Sequence, residues 1–161
     1  MPIPGWLQLV ESSRLADVIR EVAFPYVETV HVLTLALSVG TVAWFDLRLL
    51  GAAMRDRPVS EVFQSIRGWM LGGFGVMFVT GALLFIADAT DAYQNRYFRA
   101  KMVLLALAGL NALTFHLTIG RRTVDWNHAR VPPRAARVAG LLSLVLWLSV
   151  IAVGRIFAYD L

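Results

Sequence analysis

Four apolar blocks, each about as long as a bilayer is thick, dominate the pattern of this chain, and short polar stretches rich in arginine separate them. They predict helices over 24–48, 68–87, 98–120 and 136–158, because a bilayer core cannot solvate an open backbone. The first span opens with Pro25, which fits a first helical turn, and ends in a wetter stretch with Asp46 and Arg48. Before it, 6–22 is mixed rather than apolar. Leu15, Val18, Ile19 and Val22 recur at helical spacing, with Arg14, Asp17, Arg20 and Glu21 on the other side. That pattern predicts a short helix lying in the interface or a solvated helical arm, capped by Ser12 or Ser13. The loop before the last span contains Pro132 and Pro133, which break helix and separate the two spans. The expected fold is therefore all-α: one integral membrane domain over 1–161, a four-helix bundle with a short N-terminal interfacial helix.

Composition agrees. Of 161 residues 58% are hydrophobic, and the mean hydropathy is +0.63; that share is above the usual range for a soluble domain. No cysteine is present, which excludes disulfides, thiolate metal sites, iron–sulfur clusters and the attachment motif of c-type haem. Residues 1–6 lack the charged and apolar regions of a cleaved signal, so the first span is expected to direct insertion.

The net charge of +4 comes from arginine almost throughout, with Lys101 the single lysine. Nine arginines fall in 48–67 and 121–137, against six basic residues at the other end. The positive-inside rule then puts those two stretches in the cytoplasm of a bacterial inner membrane and both termini on the periplasmic side. Tyr26, Tyr93, Tyr97 and Tyr159 fall at the predicted outer boundary as an aromatic belt. Membrane lipid is the expected surrounding, and a homo-oligomer or a larger membrane complex is compatible with the chain. No basic face on a soluble element points to nucleic acid.

Candidate chemistry starts at His31, an ionisable ring inside the first span, where such residues by default mark a site or a tightly satisfied polar contact. At 1.5 Å rise per residue, His31 lies roughly 10 Å below the outer boundary and His116 roughly 25 Å below it. One haem bridging the two is therefore disfavoured. Two groups emerge instead: Glu28, His31, Asp88, Lys101, Met102 and Arg155 near the outer surface, and Asp46, Arg48, Arg67, His116, Arg121 and Arg122 near the inner one, with Asn111 between. His31, Thr34, Ser38, Thr41 and Arg48 form one polar or small stripe. Gly68, Gly72, Gly73, Gly75 and Gly81 offer close helix packing or room for a flat macrocycle.

Each of these residues has a plain reading as well. His31 is a ligand, a proton-transfer group, or a neutral imidazole bonded to a neighbouring helix. His116 is satisfied by an interfacial contact such as Asp46 or a carbonyl. His128 lies in a polar loop. Lys101 snorkels to headgroups or pairs with a carboxylate or a propionate. Arg155 needs an anion: Asp88, Asp160, a lipid phosphate or a propionate. Asp46 and Arg48 point in different directions and anchor the inner end of the first span.

The stretch 31–51, HVLTLALSVGTVAWFDLRLLG, resembles the first helix of small bacterial four-helix membrane proteins. These in turn resemble the wider CopD/HemJ-like group, which holds copper-resistance membrane proteins and a haem-associated protoporphyrinogen oxidase. In the third span Lys101 opens the helix and His116 precedes an Arg pair, an arrangement similar to that of HemJ-like proteins. Asp46-Leu47-Arg48 departs from the Pro-Arg pattern that ends the HemJ-like helix. The resemblance implies haem b, with His31 as iron ligand and Lys101 as its partner. The expected function is a b-type haem protein for electron transfer or porphyrin- or quinone-linked redox chemistry, with Arg155 and His116 as further cofactor contacts; if it is an enzyme, it is a haem-dependent membrane oxidoreductase. The alternatives are a copper-handling protein using His31, Met102 and Met77, and a non-catalytic anchor of a larger complex. Hydrolase, P-loop and dinucleotide motifs are missing from the sequence.

Overall fold

The structure, a computed structural model, describes residues 3–159; the first two residues of the chain and Asp160, considered above as a partner for Arg155, lie outside them. Among the described residues the chain is helical without strands, and four helices are long and apolar enough to cross a membrane. These are α3 (Phe24–Leu49), α4 (Val59–Ala87), α6 (Arg96–Leu117) and α8 (Arg134–Phe157), with the short α5 (Ala89–Gln94) before α6 and the short α7 (Thr123–Trp126) after it. Their outward faces are apolar, with Leu33, Val76, Leu110 and Leu148 all exposed. A bundle whose surroundings are hydrocarbon has this character, because burying apolar groups gains nothing there.

The N-terminal segment departs from the single helix expected over 6–22. It folds as α1 (Gly5–Glu11) and α2 (Arg14–Val18), and a π-helical turn, Ile19–Ala23, runs directly into α3. The Ser13 side chain caps α2 by accepting from the Ala16 N–H at 3.2 Å. The wide turn has a local cause: Pro25 lacks an N–H, and its ring would crowd the carbonyl four residues earlier. The apolar stripe is also turned round. Ala16 and Ile19 are buried, while Leu15, Val18 and Val22 face outward.

Close approach of backbones builds the bundle. Ser38 of α3 sits against Gly73 of α4, where an added Cβ would collide with its hydroxyl, and His31 sits against Gly81. The two pairs run in opposite senses along the helices, so α3 and α4 are antiparallel. The α3–α8 approach occurs at Gly140, where a Cβ would lie 3.2 Å from the Asp46 carbonyl oxygen. Asn111 of α6 donates from Nδ2 to the Ala139 carbonyl of α8 at 3.1 Å. Gly68, Gly72 and Gly75 face open space, so the glycines of α4 do not form one packing face.

The contacts join α3 to α4, α6 to α8 and α3 to α8, but leave the α4 and α6 backbones apart. That gap is the feature that positions the site. It is crossed by side chains such as Phe85 and Phe98, stacked with centroids 5.4 Å apart.

At the arginine-rich end, Arg48 is fully buried and ties two loops together, donating to the Arg57 carbonyl at 2.9 Å and the Ala129 carbonyl at 3.0 Å. Asn127 caps α4 from a distance in sequence. Its carbonyl accepts from the Val59 N–H at 3.0 Å and its Oδ1 from the Ser60 N–H at 2.9 Å. This is why α4 begins at Val59 and not near residue 68: the cap satisfies orphan donors of the first turn. Leu49, Val59 and Ala136 form a small core beneath, packed by Phe45, Phe115, Ile119 and Trp126.

A test of the packing compares two adjacent glycines. Gly73→Ala is expected to destabilise by about 1–3 kcal/mol through the clash with Ser38. Gly72→Ala, with nothing within 4 Å of its Cβ, should be neutral or mildly stabilising. Thermal unfolding of the two variants in detergent micelles reads the difference.

Candidate functional site

The gap between α4 and α6 is a groove floored by α3 and α8, and it widens into two chambers. The outer chamber, named only for lying farther from the arginine-rich loops, has a volume of about 330 Å³ and is lined by His31, Met77, Gly81, Phe85, Phe98, Lys101 and Met102 among others. The inner chamber has about 500 Å³ and is lined by Asp46, Arg67, Asn111, His116, Ser143 and Trp147 among others. Phe74 and Trp147, with ring centroids 5.1 Å apart, stand at the level between them. The two histidines of the membrane spans therefore line different chambers.

In the outer chamber His31 is fixed by one ring nitrogen. Its Nδ1 lies 3.0 Å from the Thr80 hydroxyl. Thr80 is buried and donates its single proton to the backbone, to Val76 at 2.8 Å, with Met77 at 3.1 Å. With that proton kept on the backbone the hydroxyl can only accept, an arrangement that matches the His31 tautomer with its proton on Nδ1. In that tautomer Nε2 holds a lone pair. The ring can lie this close to α4 because residue 81 is glycine: a Cβ there would stand 3.1 Å from Cε1.

Lys101 lines the same chamber with its stem against Gly154, where a Cβ would lie 3.6 Å from Cε. Among the described residues its ammonium has neither an ion pair nor a hydrogen bond. Met77 is buried and Met102 half exposed, both at the chamber wall.

The rest of the expected outer group is elsewhere. Glu28 is exposed and lines neither chamber. Arg155 is exposed as well; it donates to the Tyr159 hydroxyl at 2.7 Å and lies over that ring at 4.6 Å. Its helix position turns it away from the groove, and an aromatic ring with a phenol oxygen takes the place of the expected anion. Asp88 faces Arg20 at 3.9 Å, not Lys101.

Arg20, on the polar side of the expected N-terminal helix, is the hub of a roof over this end. It donates from Nε to the Ala87 carbonyl at 3.2 Å, satisfying the C-terminus of α4. Asp17 at 3.5 Å and Glu11 at 4.0 Å surround it. Glu11 accepts from the Thr90 N–H at 2.9 Å at the start of α5 (Ala89–Gln94). Hydrogen bonding from Thr90, first by its side chain and then by its backbone N–H, holds the Glu11 carboxyl below its ordinary value. Burial pushes Asp88 the other way, upward, against the pull of Arg20. No local motif announces these contacts; they exist only once 11–20 is laid across 87–90.

In the inner chamber Asp46 is buried, with Ser143 as the hydroxyl beside its carboxyl and with Oδ2 enclosed and unpartnered. His116 packs on Phe63, centroids 6.3 Å apart, and not on Asp46. Arg67 lines the wall, whereas Arg48, Arg121 and Arg122 do not. Asp46 and Arg48 form no ion pair; each is held in its own surroundings.

These features define an all-helical protein of membrane type, a four-helix bundle with a laterally open, two-chambered groove. The sequence model of a family described as "Family of unknown function (DUF6644)" matches residues 12–160, and the chain belongs to that family. Searches of curated proteins and of solved structures return no match.

The roof predicts a pH dependence of stability. A folded-state value for Glu11 below its unfolded value of about 4.3 contributes stability at higher pH that is lost as pH falls through the folded value. Asp88 has the opposite sign: its contribution is present below about 3.9 and lost as pH rises through its raised folded value. Glu11→Gln should therefore lower the melting temperature at pH 7, with the deficit nearly constant down to about pH 4.3 and shrinking only as the pH falls below it. Melting curves of variant and parent across that range measure it.

Proposed function

We propose that this chain is a haem-b-binding protein of a bacterial inner membrane that carries electrons, with the outer chamber as the haem site and His31 Nε2 as the ligand to iron. One observation carries the reading: the Thr80 hydroxyl lies 3.0 Å from His31 Nδ1, an anchor that in the Nδ1-protonated tautomer leaves the Nε2 lone pair to an apolar chamber that also contains Lys101. A hydrogen bond on one imidazole nitrogen is the usual means of orienting the other towards a metal. The donor set suits an iron that arrives in its own ring. Among the described residues no three His, Asp or Glu side chains gather to hold a bare ion, and a macrocycle that supplies four donors needs a single histidine to start.

The chamber is small in enclosed volume but bounded on one side by the gap between α4 and α6, so a flat ring entering from the lipid side has room beyond it. Gly81 and the Phe85 and Phe98 rings supply flat walls. Lys101, which the resemblance to HemJ-like proteins gave as the partner of His31, takes the role of propionate partner, and Arg155 does not share it. Bound haem would supply one-electron chemistry; the chain's part is to set the axial ligand, the burial and the charge around it. The arginine-rich end is read as cytoplasmic, which puts His31 nearer the periplasmic face.

A copper-handling reading has its own support, because Met77 and Met102 line the same chamber as His31. Two thioethers and an imidazole suit Cu(I).

Absorption spectra of detergent-purified protein, oxidised and reduced, separate the two. Haem binding requires a Soret band that is lost in His31→Ala and retained in His116→Ala and His128→Ala. Lys101→Gln should weaken haem retention by about tenfold, the worth of one charge-assisted hydrogen bond. Stoichiometric copper without a Soret band favours the copper reading, and a colourless, metal-free preparation from a haem-replete host contradicts both.

A further inference from the structure

We infer that the inner chamber is a second ligand site, shaped for a neutral aromatic ring that carries hydroxyl groups, a membrane quinol. It stands apart from whatever the outer chamber holds, beyond the Phe74–Trp147 pair.

Three features specify the ligand. First, Asp46 is 4% exposed and its Oδ2 has no hydrogen-bond partner. A carboxylate oxygen enclosed in an apolar bundle is costly until a donor reaches its carboxyl group, and a residue of this kind in a membrane span marks a site. Second, the rings of Phe45, Phe63, Phe74 and Trp147 wall a space of about 500 Å³, suited to stacking a flat ring and within the range of ligand pockets. Third, Arg67 lines the same space. A cationic ligand meets repulsion from Arg67 and an anionic one from Asp46. A ring bearing one donor and one acceptor oxygen at opposite edges satisfies both, its hydroxyl donating to the Asp46 carboxyl and its other oxygen accepting from Arg67. The gap between α4 and α6 gives an apolar tail its way out to lipid.

The test is equilibrium binding of a decyl-substituted dimethoxy-methyl-benzoquinol to the protein as isolated, in lipid nanodiscs, corrected against empty nanodiscs. The probe should bind saturably, and its dimethyl ether, which lacks the hydroxyl donors, should bind about tenfold more weakly or worse. Asp46→Asn should weaken the quinol to a similar degree. Ala112→Phe, which narrows the chamber while Asp46 is kept, should abolish binding, and His31→Ala should leave it unchanged. Equal binding of quinol and ether, or full affinity in both inner-chamber variants, overturns the inference. Loss of binding in His31→Ala alone would assign the quinol to the outer chamber and overturn it equally.

Discussion

The approach of α3 to α4 governs this molecule. Ser38 rests on the bare backbone of Gly73, and the His31 ring rests on that of Gly81. In hydrocarbon such contacts replace the hydrophobic effect as the source of helix association. Because α3 is drawn so close to α4, and α8 closes on α3 at Gly140, the remaining helix α6 meets α8 and leaves a gap against α4. The groove and both of its chambers follow from that unequal spacing. A side chain at 73 or 81 would alter the packing and the site together.

Polar groups inside the bundle divide along the same line. Away from the groove they find partners. Ser38 and Thr34 return their protons to carbonyls of their own helix, and Arg48 is bound by two loop carbonyls with one nitrogen left over. Within the groove they are left with capacity to spare: His31 at Nε2, Lys101 at its ammonium and Asp46 at Oδ2. Orphaned groups in lipid carry a free-energy cost, and their concentration in two chambers is the physical ground for reading both as ligand sites.

The four spans were legible in the sequence because a bilayer leaves hydropathy and length as nearly sufficient signals. Depth was legible too. A fixed rise per residue put His31 level with Lys101 and apart from His116, and the chambers divide them in that way. Rotation about the helix axis was not. Arg155 shares the level of Lys101 but turns towards Tyr159, and Glu28 turns outward. Long-range capping was equally hidden. Asn127 extends α4 back to Val59, and Arg20 terminates it at Ala87, each from a segment remote in sequence. The role of Gly81 depended on knowing which side chain would face it, and five glycines on one helix look alike until the partner helix is in place.

The tautomer of His31 is the most direct measure of the site's design, because every use of the outer chamber depends on which nitrogen is free. Nitrogen-15 NMR of histidine-labelled, ligand-free protein, with the His31 signals assigned by their loss in His31→Gln, distinguishes a protonated ring nitrogen from one that bears a lone pair. A proton on Nδ1 with a lone pair on Nε2, lost or mixed on Thr80→Val, is the expected result. A proton on Nε2 in the parent protein would contradict it, since the nitrogen offered to the chamber would then be a donor and could not bind a metal.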